Sequence, residues 1–236
     1  MKAWLNLRYS LSDRYDAFSQ GFKKLGYSTE HGIPKEAKQG DLFCSWNRIG
    51  RADVIAQQFE AAGLPVIIAE NSTWGNDFLG GQWLSLWRNL HNRAGRFGKP
   101  DRWDCLNVEL APWRTGEEVV ILPQRGIGSP PVAMPHGWAD RAYKRTGGRV
   151  RPHPGKNPCK TLEDDLANAR LVVTWGSGSA VKALMIGVPV ESDMPNWCGE
   201  QNNTDAGRLA MFRRLAWSQW HMDEIRSGEA FEWLLR

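Results

Sequence analysis

One stretch in the carboxyl-terminal half of the chain constrains the fold more than any other. An apolar run at residues 171–174 is followed by a turn of glycine and serine, and then by a helical segment that ends at Gly187. This order predicts a strand, a short loop and a helix N-terminus. The first N–H groups of a helix lack intrahelical partners and lie at the positive end of the helix dipole. We therefore expect Ser177, Gly178 and Ser179 to hold a phosphate, although serine is also a common helix N-cap.

Segments that predict strands alternate with amphipathic segments that predict helices along most of the chain. The predicted strands are residues 3–7, 28–31, 42–45, 66–69, 119–122, 149–151, 171–174 and 188–191. The predicted helices are residues 13–25, 51–62, 137–146, 161–169, 179–186 and the tail from residue 204 onward. Short apolar strands separated by helices indicate parallel sheets covered on both faces. We therefore expect an α/β fold of two small Rossmann-like lobes with parallel sheets, residues 1–116 and 117–236.

Residues 71–114 interrupt this alternation and are rich in glycine, tryptophan, asparagine and arginine. Long irregular segments inside compact proteins are usually functional. Within this segment we expect one or two helical turns over residues 83–90. Arginines and tryptophans also interleave between residues 48 and 103. That pattern can bind DNA through phosphate contacts and base stacking, although solvated helix faces explain such charges as well.

The second lobe holds the candidate donor-binding residues, because ligands of open parallel sheets bind outside the carboxyl ends of the strands. Arg125, Gly126 and Gly128 follow one predicted strand and form a loop that can bind an anion, without the spacing of a Walker A or dinucleotide motif. Arg151 ends the next predicted strand, and His153 follows it between two prolines. Its imidazole can bond a phosphate or a ribose, or act as an acid toward a leaving phosphate.

The loops after the predicted strands of the first lobe hold aromatic, amide and basic side chains. We expect five of these residues to bind an acceptor: Trp46, Asn47, Arg48, Asn71 and Trp74. Glu70 lies just past the apolar run 66–69, and a carboxylate that faces a cleft there can serve as general base. A solvated loop acid is the alternative interpretation of Glu70, and the rival bases are Asp41, Asp77 and Asp193.

Bulk properties limit the class of protein. The net charge of +4 and the pI near 8.9 permit a polyanionic partner without requiring one. The four cysteines form no CxxC pair, so we expect neither a metal site nor a disulfide framework. Packing is the main explanation for the 13 tryptophans. No apolar stretch reaches the roughly 20 residues of a membrane span and no signal-peptide core is present, so we expect a cytoplasmic protein with no membrane partner.

Residues 117–195 resemble the donor-binding domain of GT-B glycosyltransferases, especially bacterial capsule and sialyl-type enzymes. The resemblance rests on His153-Pro154, on the Ser/Thr-rich turn at residues 174–179 and on Gly187-Val188-Pro189-Val190. It implies a compact GT-B-like architecture in which the histidine and the turn hold the phosphate of a nucleotide. No Asp-x-Asp motif is present, which fits the metal-independent GT-B style. The acidic catalytic motif of that family is not clear in the first lobe, so the role of Glu70 rests on its position alone.

The whole chain is also similar to small glycosyltransferase-like proteins of bacteriophages, some of which modify hydroxymethylated pyrimidines in DNA. We therefore expect a glycosyltransferase that moves a sugar from a nucleotide-sugar donor to a hydroxyl group. A hydroxymethylated pyrimidine in phage DNA is one expected acceptor, and the host cytoplasm is the expected location of the protein. The donor nucleotide (UDP, GDP or CMP), the sugar, the stereochemistry and the oligomeric state stay open, and no further cofactor is expected. The alternatives are a sugar-nucleotide epimerase or hydrolase of similar fold, and a non-catalytic nucleic-acid-binding protein.

Overall fold

The computed structural model describes residues 1–7, 12–89, 98–99, 101–128, 132–153, 160–195, 197 and 201–236. Contacts divide the chain into a first unit of Met1–Ser72, Asn76–His91 and Ser218–Arg236 and a second unit of Thr73–Gly75 and Asn92–Trp217. The sequence placed the boundary at residues 116 and 117. The contacts instead assign residues 92–116 to the second unit and residues 218–236 to the first unit.

Ten strands and eight α-helices are formed by the described residues. The strands are β1 (Lys2–Asn6), β2 (Ser28–His31), β3 (Leu42–Trp46), β4 (Val66–Asn71), β5 (Trp83–Arg88), β6 (Glu118–Leu122), β7 (Arg149–Val150), β8 (Ala169–Thr174), β9 (Val190–Ser192) and β10 (Gln219–His221). The helices are α1 (Ser12–Lys24), α2 (Arg51–Ala61), α3 (Trp138–Thr146), α4 (Leu162–Asp165), α5 (Gly178–Met185), α6 (Asp205–Leu215), α7 (Met222–Ser227) and α8 (Glu229–Leu235). The predicted α/β fold is confirmed.

The first unit is built on one six-stranded sheet with the order β10-β5-β4-β3-β1-β2. Strands β1 to β4 run parallel, β5 pairs antiparallel with β4, and β10 pairs antiparallel with β5. Helix α2 packs on this sheet through a cluster that includes Phe43, Phe59 and Ile68. Helix α1 packs against α7 and α8, where Phe22 stacks on Phe231 with ring centroids 3.8 Å apart. The carboxyl-terminal helices therefore complete the core of the amino-terminal unit.

The sequence prediction was wrong for β5 and β10. Residues 83–90 were expected to be helical, but β5 lies between β4 and β10 and pairs with both. Ser85 and Gln219 are fully buried there, and the Ser85 hydroxyl donates to Gln219 Oε1 (2.9 Å). Strand β4 also runs two residues further than predicted, since Glu70 and Asn71 pair with β5. Glu70 is therefore a strand residue and does not lie in a loop.

The second unit holds a four-stranded parallel sheet with the order β7-β6-β8-β9. Helix α3 packs on β6 through Trp138 and Ala142. Helix α4 is a single turn, shorter than the predicted segment 161–169, and Thr161 caps it as expected by accepting the Asp164 N–H. No helix among the described residues is long and apolar enough to cross a membrane.

Candidate functional site

The sheet of the second unit has a switch point between β6 and β8. Its four strands are parallel, so their carboxyl ends lie at one edge. The chain passes from β6 to its neighbour β7 on one side and then returns to β8 on the other side. Ligands of open α/β sheets bind in the crevice at such a point. The loops beginning at residues 123 and 175 flank it.

Thr174 joins the two strands at the switch point. Its side chain is fully buried, and its hydroxyl donates to the Leu122 carbonyl at the end of β6 (2.8 Å). The same oxygen accepts the Ser177 N–H (3.0 Å). Thr174 thereby fixes the start of the turn against both strand ends.

The turn after β8 leads into α5 as predicted. Ser177 is the N-cap, and its hydroxyl oxygen accepts the Ser179 N–H (3.2 Å). The interpretation of Ser177 as a helix N-cap is therefore confirmed. Its hydroxyl proton is not used in this bond and can be donated to a second acceptor. Gly178 opens α5, where backbone N–H groups have no intrahelical acceptor. The turn can thus offer a backbone N–H and a hydroxyl to an anion.

Two residues beside this turn were missed by the sequence analysis. The Gln124 side-chain amide donates to the Gly176 carbonyl (2.6 Å), and its buried Oε1 has no hydrogen-bond partner among the described residues. Thr73 lies close to Gly178, since a Cβ built there would be 3.5 Å from Thr73 Cγ2. Gln124 directly precedes the predicted Arg125 loop, so a search of strand ends for carboxamides would have found it.

His153 follows β7 and lies in a positively charged environment. Burial lowers the pKa of His153, and the nearby guanidinium groups of Arg125 and Arg151 lower it further. Its imidazole is therefore neutral near about pH 7, and both cations favour an anion beside it. The structure thus brings three of the predicted donor residues together, while Pro154 lies outside the described residues.

The two arginines differ in what they can bind. Arg151 is buried, and its guanidinium donates to the Asp165 carboxylate and to the Lys160 carbonyl (3.1 Å for the latter). Arg125 is exposed and has no ion pair with another described residue. Arg125 is therefore the cation that a phosphate can reach, and Arg151 acts through the field that it sets up at His153.

The Arg125 loop needs glycine at two positions. Gly126 has φ 67° and Gly128 has φ 125°, conformations that residues with a side chain rarely adopt. The loop begins directly after β6 at the switch point. Its backbone is therefore shaped by the predicted glycines, and it places Arg125 at the shared edge of the sheet.

The predicted acceptor residues of the first unit lie at or just after the carboxyl ends of β3 and β4. The Arg14 guanidinium lies 4.1 Å from the centroid of the half-buried Trp46 ring. Asn47 adopts φ 66°, and its N–H donates to the Ala69 carbonyl (3.2 Å). Asn71 is exposed at the end of β4. Trp46 ends β3 and Asn47 follows it, next to β1, where the strand order of this sheet also changes direction.

Arg48 is used within the first unit. Its side chain is 5% exposed, and it donates to the Asp53 carboxylate (2.7 Å), to the Glu60 carboxylate (2.7 and 3.0 Å) and to the Asn89 carbonyl (2.8 Å). Burial lowers the pKa of Arg48, and its bonds to Glu60 and Asp53 more than offset this, so the net pKa lies above the usual range. These hydrogen bonds connect α2 with Asn89, which follows β5. Because its guanidinium is used within the unit, Arg48 is left out of the site proposed below.

We expect Arg48→Ala to lower the free energy of unfolding by about 2 kcal/mol, because charge-assisted hydrogen bonds to Asp53 and Glu60 are lost. Chemical denaturation measures this change. Arg51→Ala is the matched control, since Arg51 is exposed and makes no ion pair among the described residues, and it should change stability by no more than about 0.5 kcal/mol. Equal stability of the two variants would show that the Arg48 network contributes nothing.

The carboxylate candidates separate by position. Glu70 is half-buried on β4, opposite Ser85 of β5. Asp41 precedes β3, at the opposite edge of the sheet, and accepts the Lys2 N–H (2.9 Å) and the Trp4 indole N–H (3.2 Å). Asp193 accepts the Trp138 indole N–H (2.7 Å). Asp41 and Asp193 thus have structural hydrogen bonds, and Glu70 is the candidate that lies at the carboxyl end of β4.

Several tryptophans and arginines of the segment proposed to contact DNA have packing roles. Trp74 is 1% exposed and meets Trp103 edge to face, with ring centroids 5.3 Å apart. Arg102 donates to the Ala216 carbonyl (2.9 Å). Trp87 is also buried, whereas Arg93 and Arg96 lie outside the described residues. Trp74 as placed cannot stack on a base, and it is left out of the proposed site.

The described residues include free thiols but no cluster of metal ligands. Within the described ranges, no three His, Cys, Asp or Glu side chains are grouped to hold a metal ion. Cys44 and Cys105 are free thiols, and burial raises the pKa of Cys44 far above its usual range. Cys159 and Cys198 lie outside the described residues.

Comparison with known proteins identifies the fold. No protein-family model matches the sequence, and no curated protein matches it. Among solved structures, the chain is similar to Thermosulfurimonas dismutans KpsC, beta Kdo 2,4 transferase, with a TM-score of 0.57 and 16% identity over 94% of this chain and 92% of that one. It is also similar to T. dismutans KpsC, beta Kdo 2,7 transferase, with a TM-score of 0.54 and 11% identity over 100% and 99%. The chain therefore has a fold that glycosyltransferases use.

Proposed function

We propose that this protein transfers a sugar from a nucleotide-linked donor to a hydroxyl group. The observation that supports the proposal is the parallel sheet of the second unit, in which His153 follows β7, the Arg125 loop follows β6 and the Ser177 turn follows β8 at one edge. Both similar structures bear the names of sugar transferases, which supports the same class of chemistry. Neither name points to DNA, so the bacteriophage DNA acceptor rests on the sequence resemblance alone.

The chemistry follows from the charge that develops on the donor. As the glycosidic bond breaks, negative charge grows on the departing phosphate, and groups placed in advance at that charge lower the barrier. Arg125 supplies a positive charge, and the Gly178 N–H and the serine hydroxyls supply hydrogen-bond donors. Neutral His153 can donate a hydrogen bond, and once protonated it can give a proton to the leaving phosphate.

Glu70 is the proposed base that removes the proton from the acceptor hydroxyl. It is half-buried at the carboxyl end of β4, the edge at which open α/β sheets bind their ligands. Trp46, Asn47 and Asn71 are proposed to bind the acceptor from the carboxyl ends of β3 and β4 in the same unit. A hydroxymethylated pyrimidine in DNA is the first acceptor to test, alongside saccharides, and an enzyme acting on such a base takes it out of the stack.

A panel of nucleotides and nucleotide sugars tests the proposal. UDP, GDP, CMP and their sugars are added to the full chain, and thermal unfolding is followed. A ligand at 100 times its Kd stabilises the folded state by about 2.7 kcal/mol. Stabilisation by one nucleotide series, followed by transfer to an added hydroxyl acceptor, is the expected result. If no nucleotide stabilises the protein, the proposal is wrong.

Two other outcomes of this panel identify the alternative functions. Turnover of the donor without any acceptor indicates an epimerase or hydrolase. Salt-sensitive DNA binding without any response to nucleotides indicates a non-catalytic binding protein, because phosphate contacts release counterions.

We expect the affinity for a nucleotide sugar to increase as the pH falls. The pKa of free His153 lies below its ordinary value, and a bound phosphate raises it, so binding takes up protons between the two values. Affinity is weakest above the pKa of the complex and rises by at most about tenfold per pH unit below it. Isothermal titration in buffers of different ionisation enthalpy measures the uptake. A His153→Gln variant should show no uptake, and uptake that persists in it would place the proton elsewhere.

A further inference from the structure

A cavity of about 430 Å³ lies at the carboxyl end of β9 in the second unit. It is large enough for one or two sugar rings, since ligand pockets typically measure roughly 300–1,000 Å³. Its polar lining consists of two carboxylates, three carboxamides and a hydroxyl, and its remaining wall includes an indole: Glu191, Asp193, Gln201, Asn202, Asn203, Ser192 and Trp197. None of these residues entered the proposed function.

The carboxamides of this cavity are held in place by the edge of β9. Asn203 Oδ1 accepts the Val190 N–H (2.9 Å), and Asn203 Nδ2 donates to the Val190 carbonyl (3.1 Å). Gln201 Nε2 donates to the same carbonyl (2.7 Å), and its Oε1 accepts the Asn203 N–H (2.7 Å). The lining is therefore anchored to a strand, and a preformed wall loses little entropy when a ligand binds.

Other polar groups of the lining keep bonding capacity for a ligand. Glu191 is exposed, and its carboxylate has no hydrogen bond or ion pair with another described residue. Asn202 uses its Oδ1 for the Thr204 N–H and hydroxyl (3.3 and 2.6 Å), which leaves its amide N–H groups. A carboxylate that accepts and an amide that donates are together suited to a hydroxyl group, which does both.

The charged residues of the described lining are acidic. They are Glu191 and Asp193, and the described lining contains no Lys, Arg or His. Among the described residues, Arg145 is the cation bonded to the lining, and its guanidinium is bound to the Asp193 carboxylate (3.0 and 3.2 Å). That pair leaves the charge of Glu191 uncompensated. A carboxylate on the ligand would meet like charge here.

The cavity adjoins the turn that precedes α5. Met194, another lining residue, donates its N–H to the Trp175 carbonyl (2.8 Å). A Cβ built on Gly176 would lie 2.8 Å from Met194 Sδ and 3.2 Å from Trp197 Cδ1. The wall of the cavity thus contacts the residue next to Ser177.

We infer that this cavity receives the sugar that the donor phosphate carries, and that it accepts an uncharged sugar in preference to an acidic one. The inference rests on the proposed function for the placement of the phosphate. Its preference for an uncharged sugar follows from the cavity alone.

Two matched glycosides test the inference on the full chain. Methyl glucoside and methyl glucuronide differ only in a carboxylate that replaces the hydroxymethyl group. We expect saturation-transfer NMR to detect binding of the glucoside. The glucuronide should bind about fivefold more weakly, because its carboxylate would meet the like charge of the exposed Glu191. Glu191→Gln should reduce that difference by raising glucuronide binding. Glu117→Gln, an exposed acid of the same unit away from the cavity, should leave the difference unchanged.

Each other outcome overturns a defined part of the inference. Equal binding of both glycosides, a preference for the glucuronide, or a difference unchanged by Glu191→Gln overturns the charge selection. Nucleotide binding without any glycoside signal overturns the assignment of the cavity and leaves the proposed function intact. Glycoside binding without any nucleotide binding overturns the donor assignment and the proposed function.

Discussion

Replacement of His153 by alanine is expected to remove most of the stabilisation that a nucleotide sugar gives the protein, together with sugar transfer. His153 lies beside Arg125 and Arg151, which lower its pKa, and is the proposed hydrogen-bond donor to the phosphate. A charge-assisted hydrogen bond is worth roughly 1.5–3 kcal/mol. A ligand that adds about 2.7 kcal/mol to the wild type then adds about 0.4 kcal/mol to His153→Ala at the same concentration, once affinity has fallen about 100-fold.

His136→Ala is the matched control for this experiment. His136 lies in the same unit and is exposed, and its imidazole bonds to no other described residue. This variant should retain the full thermal shift and the transfer activity. An undiminished shift in His153→Ala would remove His153 from the site, whatever the control shows.

Gly187→Ala is expected to destabilise the protein by about 3 kcal/mol, or about 6–12 °C in Tm for a chain of this size. Gly187 has φ +85°, and a Cβ there would lie well inside van der Waals contact with the Pro112 carbonyl oxygen. The Gly187 carbonyl also accepts the Arg114 N–H (2.7 Å), so the backbone cannot move away without losing a hydrogen bond. Thermal unfolding measures the change.

Gly147→Ala separates the two causes of this loss. Gly147 caps α3 with φ +65°, and a Cβ there would have no described atom within 4 Å. The control therefore carries the left-handed strain without the collision, and should cost about 1 kcal/mol. Equal effects of the two substitutions would show that contact with Pro112 does not limit residue 187.

Local signals account for the elements that the sequence predicted well. The range of β2 is the same in the prediction and in the structure, residues 28–31. Thr161 and Ser177 cap α4 and α5 as their side-chain chemistry indicates. These features depend on residues that lie close together in the sequence, which is why local patterns predict them.

Long-range pairing explains the elements that the sequence missed. Nothing local in residues 83–88 shows that β4 and β10 will flank them, and residues 219–221 lie far away in the chain. The buried Gln219 Oε1 accepts the hydroxyls of Ser72 and Ser85 (both 2.9 Å). This contact between distant segments cannot be read from hydrophobic periodicity.

The candidate site shows the same division. Residues at the ends of parallel strands can be found from sequence because those ends share one edge, as His153, Arg125 and Ser177 do. What each side chain bonds to is decided by packing, which buries Trp74 and commits Arg48 to Asp53 and Glu60. The binding roles of His153, Arg125 and Ser177 stay predictions.

Backbone NMR of the isotope-labelled protein tests the central claim most directly, because it reports on the turn itself. Titration with the nucleotide that stabilises the protein is predicted to shift the amide signals of Ser177, Gly178 and Ser179, and the matching nucleoside without phosphate should leave them in place. A phosphate site at the start of α5 would be contradicted if the nucleotide shifted other amide signals but not these three. It would also be contradicted if the nucleoside shifted these three signals equally.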